Sequence, residues 1–524
     1  MEIQGIRHNL ISVSPDCSHK NTVQQQNSFQ PAASDSITLG SPDSKPETIK
    51  LNILHLNDIH GAVEPAMDPS VSADKPVGGL ANVKTVIDSE KAKNPEGTLT
   101  LNAGDIAEGS MEAFISKGRV ITDTFKEIKF DAIELGNHDF AWGLGDLRAM
   151  VQDLDTPILA ANVTKTDSNE VMDGAQPYIL KDLKGIKVAV IGLDTTDIVR
   201  LVGKEKVEGL EFKDAAKTLE KYIPEVREKG ADMIIVLSHL GDVEDRKLAE
   251  AVKGVDLIVG GHSHTVMKNG EKIGDTTIVQ AGSMGKYVGN VELEFDPASK
   301  KLVGCRPSLM PVISGEVKPD PQIQKILAPY IAQAEKFGAQ VMGEAVEDLR
   351  FGHREALKLN MIHADSILEK SGAQFGICNS RTLRGNIKKG TVTRKDLYNA
   401  LPLSEEGFCT LSIQGKFIRK HIEDSLADGA RSLAVPMGAL KFEYDPSKPS
   451  GQRLISAKLD GREMEDDKEY SICVNETIAR NKNFATAKNM KVEGSCQEEL
   501  FSYFQAHSPW DNSIDDRIKT VSSN

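Results

Sequence analysis

The chain has 524 residues, of which 39% are hydrophobic and 27% charged, and its formal net charge is −14. That length exceeds what one ordinary hydrophobic core holds, so two domains are expected. The acidic balance excludes a general nucleic-acid binder, which carries a basic face, but it leaves room for a phosphorylated substrate where metal ions or a few arginines reverse the field locally.

Residues 1–48 are rich in Ser, Gln, Asn and Pro and poor in large apolar side chains. They cannot bury enough surface to fold, which predicts a disordered polar tail. The tail lacks the apolar middle segment of a secretory signal peptide. The expectation is a cytoplasmic protein, or one exported by a non-Sec route as a type III-like effector, with any protein partner engaged through the tail. No stretch has the length and apolarity of a membrane span. Six cysteines (Cys17, Cys305, Cys378, Cys409, Cys473 and Cys496) show no CxxC spacing. They are read as buried free thiols, not as a disulfide framework or thiolate metal site.

From residue 49 the pattern alternates. "IKLNILHLND", "GTLTLNAGD", "FDAIELGNHD", "TPILAANV", "KVAVIGLDTTD", "ADMIIVLSHLGD" and "VDLIVGGHSH" are short apolar, strand-like runs. Segments with helical spacing separate them, such as "GGLANVKTVIDSEKA" and "SMEAFISKGRVITDTFKEI". Such alternation predicts an α/β domain over 49–315. The segment 316–341 contains "DPQIQKILAPYIAQAEKFGAQV", read as one amphipathic connecting helix. A second α/β unit over 342–524 follows, with strand-like "AQFGICNS", "GFCTLSI", "LKFEYD" and "EYSICVN".

Polar residues stand where the runs of the first domain end: Asp58 and His60, Asp105, Asn137 and His138, His239, and His262 and His264. Open α/β sheets place their sites at the carboxyl ends of strands. Asp58 and His60 lie two apart, and on an extended segment both point the same way. Three oxygen ligands and four imidazoles suit two divalent ions, and mixed N/O ligation fits Zn, Mn or Fe. Two such ions together can hold a nucleophile and both ends of an in-line phosphoryl displacement.

The ordered set "LNDIHG", "AGDIAEGS", "ELGNHDF", "LSHLGD" and "GGHSH" resembles the calcineurin-like metallophosphoesterases. Downstream, "REALKLNMIHADS", "NSRTLRGNIKKGTVTRKDLYNALPL" and "LSIQGKFIRKHIED" resemble the C-terminal domain of the bacterial 5'-nucleotidase and UDP-sugar hydrolase family. The resemblance covers about residues 50–500 and implies a four-layer αββα sandwich followed by a substrate-binding domain. It implies one metal held by Asp58, His60, Asp105 and His264, and another by Asp105, Asn137, His239 and His262. Asp105 would bridge them, and His138 would be the catalytic histidine. Asn379 and Arg384 match the family's substrate-binding segment, in which Ser380, Arg381 and Thr382 replace glycines. Arg381 either adds charge to the pocket or points to solvent.

Two departures matter. The family's carboxylate that pairs with the catalytic histidine falls at Ala141. Without it His138 is expected to be protonated less often, since a neighbouring carboxylate raises a histidine's pKa. Asp139 is a nearby acid able to compensate. The family's two base-clamping aromatics fall near Leu433 and Thr477, which offer no stacking face. Phe484 either substitutes or packs in the core. The expected activity is therefore a 5'-nucleotidase-like release of phosphate from nucleotides. The alternatives are hydrolysis of a non-nucleotide phosphate or pyrophosphate, and a binding protein with weakened catalysis.

Overall fold

The computed structural model describes residues 48–355, 357–402, 406–513 and 516–521. The polar tail expected over 1–48 lies outside them up to residue 47, as does Cys17. Two sheets form the first half of the chain. The first takes β1 (Ile49–Leu56), β2 (Thr98–Ala103), β3 (Ala132–Glu134), β4 (Ile158–Leu159) and β5 (Ala175–Gln176), all parallel. The second is built from β6 (Tyr178–Leu183), β7 (Ile186–Asp194), β8 (Met233–His239), β9 (Leu257–Gly260), β10 (Glu271–Ile273) and β11 (Thr276–Val279). Its four inner strands run in the order β7-β8-β9-β11 and are parallel. The chain then returns to the first sheet, where β12 (Tyr287–Asp296) pairs antiparallel with β1 and β13 (Lys301–Pro311) with β12.

Side-chain alternation explains the layering. On β1, Leu51 and Ile53 enter the core between the two sheets, while Leu54 and Leu56 face the other way. On β8, Met233, Ile235 and Leu237 face that inter-sheet core, and Ile234 and Val236 the opposite side. Strands buried on both faces must read as continuous apolar runs, as these do. Helices α1 (Leu80–Lys91), α2 (Met111–Ser116) and α3 (Arg119–Ile128) cover the first sheet through Val83, Ala113, Ile121 and Phe125. The short α4 (Ile198–Val202) follows β7. Leu219 of α5 (Ala215–Glu228) and Leu248 of α6 (Asp242–Ala251) cover the second sheet. Four layers result. The single helix read over "SMEAFISKGRVITDTFKEI" is two, because Lys117 and Gly118 adopt φ of 50° and 79° and reverse the chain between them.

Helix α7 (Pro321–Gly338) begins where the Asp320 carboxylate accepts the N–H groups of Gln322 and Ile323, each at 2.9 Å. Its Ile323 and Leu327 pack with the helices of the first half. Ala334 packs with Met111 and Tyr398, so the helix touches side chains of both halves. Beyond it, β14 (Phe375–Asn379), β15 (Gly407–Gln414), β16 (Ala434–Gly438), β17 (Glu469–Asn475) and β18 (Lys488–Ser495) form a sheet in the order β16-β14-β17-β15-β18. Cys378, Cys409, Cys473 and Cys496 are buried free thiols, and Cys305 is a partly buried one. Among the described residues no helix is long and apolar enough to cross a membrane.

Candidate metal centre and substrate cleft

All seven candidate ligands stand at or just beyond the carboxyl ends of five parallel strands, β1, β2 and β3 of one sheet and β8 and β9 of the other. Asp58 Oδ1 lies 3.3 Å from His264 Nε2, and His60 Nε2 lies 3.0 Å from His264 Nε2. His239 Nε2 is 3.1 Å from Asp105 Oδ2, and His262 Nδ1 is 2.8 Å from Asn137 Oδ1. His60 Nε2 stands 3.8 Å from both Asp58 Oδ1 and Asp105 Oδ2, linking the two groups.

The convergence of Asp58 and His60 does not come from an extended segment. Both lie past the end of β1 in the left-handed region, with φ of 51° and 49°. Asp105, His262 and His264 share that conformation, with φ of 54°, 69° and 56°. A non-glycine residue held there costs about 1–3 kcal/mol and persists only where its surroundings dictate it. Here backbone bonds do so: Asp58 N–H donates to Gly104 O and His60 N–H to Asp105 O, each at 2.9 Å. Two glycines permit the close approach. A Cβ on Gly136 would stand 2.3 Å from Asp105 Oδ1, and one on Gly104 would stand 2.7 Å from His239 Nδ1.

Hydrogen bonds orient the imidazoles. His60 Nδ1 lies 3.0 Å from the Glu108 carbonyl, and His239 Nδ1 lies 2.7 Å from the Ala103 carbonyl. A carbonyl only accepts, so each Nδ1 carries the proton and, in the neutral ring, each Nε2 presents a lone pair inward. His239 Nε2 is buried without a hydrogen-bond partner. Burial pushes the His239 imidazole down, yet Asp105 outweighs it and pulls it well above its ordinary range. The pair thus demands positive charge between Nε2 and Oδ2. Burial likewise raises the Asp105 carboxyl, but His239, His138 and His60 outweigh it and hold it well below the usual range. Burial lowers His60 to about 3 and His262 to about 4, the neutral form a metal ligand requires. Donor atoms sharing one ion at bonds of about 2.0–2.2 Å stand about 3.0–3.5 Å apart, so the residues fit divalent metal.

His138 has a carboxylate after all. Its Nδ1 lies 2.6 Å from Glu108 Oε2, and its N–H donates to Asp105 Oδ1 at 2.7 Å. Burial lowers the His138 imidazole, but Asp105 and Glu108 outweigh it and push it up to about 9. Glu108 thus supplies the neighbouring carboxylate that is missing at Ala141. Asp139 is not the substitute. Its carboxylate accepts the N–H groups of Gly136, Asp105 and Ile106 at 2.9–3.0 Å, tying the β2 and β3 loops together. Glu108 was visible in "AGDIAEGS", three residues after Asp105, but only the fold brings it to His138.

Residues 51–266 match the calcineurin-like phosphoesterase model, and 339–489 match the 5'-nucleotidase C-terminal domain model. The 5'-nucleotidase of Vibrio vulnificus is 30% identical over 410 residues, covering 68% of this chain and 72% of that protein. The chain belongs to the 5'-nucleotidase family. Family members are metal-dependent hydrolases of phosphoric esters. The endonuclease YhcR of Bacillus subtilis is 27% identical over 461 residues, which is 83% of this chain but 37% of that longer protein. Among solved structures, a 5'-nucleotidase precursor from Thermus thermophilus superposes with a TM-score of 0.77 at 25% identity, covering 91% of this chain and all of that one.

In this 5'-nucleotidase family member the C-terminal half faces the candidate ligands across a cleft of about 1120 Å³. His138, Asn137, His262 and His264 line one side, and His353, Arg381, Arg384 and Arg431 the other. Arg381 and Arg384 are exposed into this space, with Arg200 of α4 nearby. Arg200, Arg431 and His353 carried no motif and escaped the sequence reading. Asn379 lines an adjoining pocket with His138 and Glu108, and its Oδ1 accepts the Arg381 N–H at 2.6 Å. Leu433 is 5% exposed and Phe484 2%, both inside the C-terminal core. Thr477 lines the pocket of Asn379 and donates its hydroxyl to Glu406 at 2.6 Å. Phe484 therefore does not substitute for a base clamp.

Proposed function

We propose that the chain hydrolyses phosphate monoesters of small molecules, nucleotides among them, at a two-ion centre. One ion would be held by Asp58, His60, Asp105 and His264, the other by Asp105, Asn137, His239 and His262, with Asp105 shared. The observation that carries this reading is the convergence of seven side chains from two sheets, five of them in strained left-handed backbone, with imidazole lone pairs facing carboxylates. Bound there, divalent ions supply a nucleophile from water and neutralise charge on an in-line phosphoryl displacement.

The protein's own residues do the rest. His138, protonated and held by Glu108, donates a hydrogen bond to the oxygen on which charge develops. The Asp139 carboxylate fixes the backbone on which Asp105, Asn137 and His138 stand. Arg384 and Asn379 hold the substrate from the opposite side. The second reading is a substrate that is not a nucleotide, favoured by the burial of Leu433 and Phe484.

Phosphate release is measured with added Mn²⁺ or Zn²⁺ on AMP, UDP-glucose and p-nitrophenyl phosphate, beside an Asn137→Ala, His138→Ala preparation. Metal-dependent turnover above that blank is expected. Equal phosphate release from both preparations would refute the assignment.

A further inference from the structure

Three arginines face the cleft with no carboxylate in ion-pair contact, although Glu406 lies near enough to Arg381, and Glu108 to Arg384, to offset part of their charge. Arg381 and Arg384 stand on the turn after β14, and Arg431 stands just ahead of β16, its antiparallel neighbour. Among the described residues none of the three forms an ion pair with a carboxylate. The acids that line the same cleft are engaged elsewhere, Asp197 with Arg200, Asp242 with Arg246, Glu244 with Lys247, Asp214 with the Lys217 N–H and Asp105 with the His138 N–H. Glu406, on the Arg381 side, accepts from Asn475 and Thr477 at 2.6–3.1 Å. Partial enclosure by the cleft walls, and then Arg431, Arg384 and Arg200, push the Arg381 guanidinium below its ordinary value, and Glu406 offsets part of this. Like charges gathered this way repel until an anion sits among them.

A single phosphoryl group does not require that wall. Two divalent ions set against Asp58 and Asp105 leave a positive surplus that one phosphoryl dianion balances. A nucleobase does not use it either, since no Phe, Tyr or Trp among the described residues lines the cleft. Arg384 donates to the Arg381 and Leu383 carbonyls of its own turn, and what matches the two remaining guanidinium forks, Arg381 and Arg431, is a second set of phosphate oxygens.

We propose that Arg381 and Arg431, beside the Arg384 already placed on the substrate, bind a second phosphate, so that the preferred substrate is a multiply phosphorylated small molecule held without base stacking. This rests on the phosphoester-hydrolase reading. Neither the Arg381 nor the Arg431 guanidinium holds the fold together by a hydrogen bond or ion pair among the described residues, so the Arg381→Ala, Arg431→Ala double variant is a fair probe.

The test uses the full chain with Mn²⁺ and two matched pairs: fructose 1,6-bisphosphate with fructose 6-phosphate, and adenosine 3',5'-bisphosphate with AMP. The wild type is expected to favour each bisphosphate in kcat/KM by on the order of tenfold, and the double variant to lose most of that preference. Calorimetric binding of inorganic tripolyphosphate is expected to weaken by a similar factor in the variant and to fall with salt. Turnover with equal kcat/KM within each pair, or a preference that survives in the variant, overturns the proposal. No turnover of any ester, with tripolyphosphate binding still lost in the variant, overturns the hydrolase reading and leaves the second anion site standing. Tripolyphosphate bound equally by both proteins removes the site.

Discussion

The two walls of the cleft are built on opposite terms. On the N-terminal wall Asp58, Asp105 and His239 are at most 1% exposed, and five ligands sit in strained backbone. Asp58 and His60 are held by backbone bonds to the loop after β2, and the Asp105 and His262 N–H groups donate to the Asp139 and Asp58 carboxylates. On the C-terminal wall Arg381, Arg384 and Arg431 are exposed, with long side chains on turns free of left-handed strain. Metal ligation fixes donor atoms within tenths of an ångström, whereas anion recognition by guanidinium tolerates many arrangements. On the first wall the seven candidate ligands keep the pattern that the resemblance implies and Ala141 departs from it, whereas the second wall departs more widely.

Breaking the first wall gives the largest expected effect. Asp105→Ala removes the carboxylate proposed to serve both ions and leaves the His138 backbone N–H without its acceptor. Bound metal, read by elemental analysis, is expected to fall together with turnover, the latter on the order of 10³-fold. Glu108→Gln is expected to lower kcat about 10–100-fold while KM moves little, because it loosens His138 and not the substrate. Ala141→Asp in the same chain is expected to restore part of that loss, since Ala141 shares a pocket with His138 and Glu108. Ala141→Asp beside an intact Glu108 should change kcat less than about threefold, the non-additivity expected of groups serving one partner.

Phe484→Ala probes the second wall. Thermal or urea unfolding should show a loss of about 3–5 kcal/mol, with KM for AMP within about twofold of wild type. A large rise in KM at unchanged stability would return Phe484 to the site.

The smallest effect asks what the two halves share. His55 in the first half and His363 in the second are fully buried, and burial pushes each down to about 4. The unfolded chain titrates near 6.5, so between about 6.5 and 4 it binds more protons than the folded chain, and stability falls as pH drops through that window. His363→Leu is expected to reduce the drop by about 1–3 kcal/mol, read from urea midpoints at pH 7 and pH 4.5. An unaltered drop would mean His363 gains its proton without unfolding.

The alternating sheets and the strand-end candidate ligands, which the fold brings together, were legible because both are written locally. A strand buried on both faces reads as a mainly apolar run, and the polar cluster that follows it marks its end. The role of Glu108 was not legible. It sits in a recognised motif, but its partner is 30 residues away in sequence and meets it only through the pairing of β2 with β3. Arg200, Arg431 and His353 come from separate elements that only folding brings to one cleft. Phe484 shows the converse, since an aromatic near a pocket motif has the same letter whether it faces ligand or core.

The left-handed residues on the ligand loops also govern how this protein can change. A positive φ at Asp58, His60, Asp105, His262 and His264 sets the direction of each side chain relative to the strand before it. Adding or deleting one residue between such a strand and its ligand would aim the side chain elsewhere, and no neighbouring rotamer would recover it. Insertion scanning should therefore find those short stretches closed to length variation, while the turn after β14 accepts it. Diversification of substrates in this architecture has one open direction, and it runs through the C-terminal half.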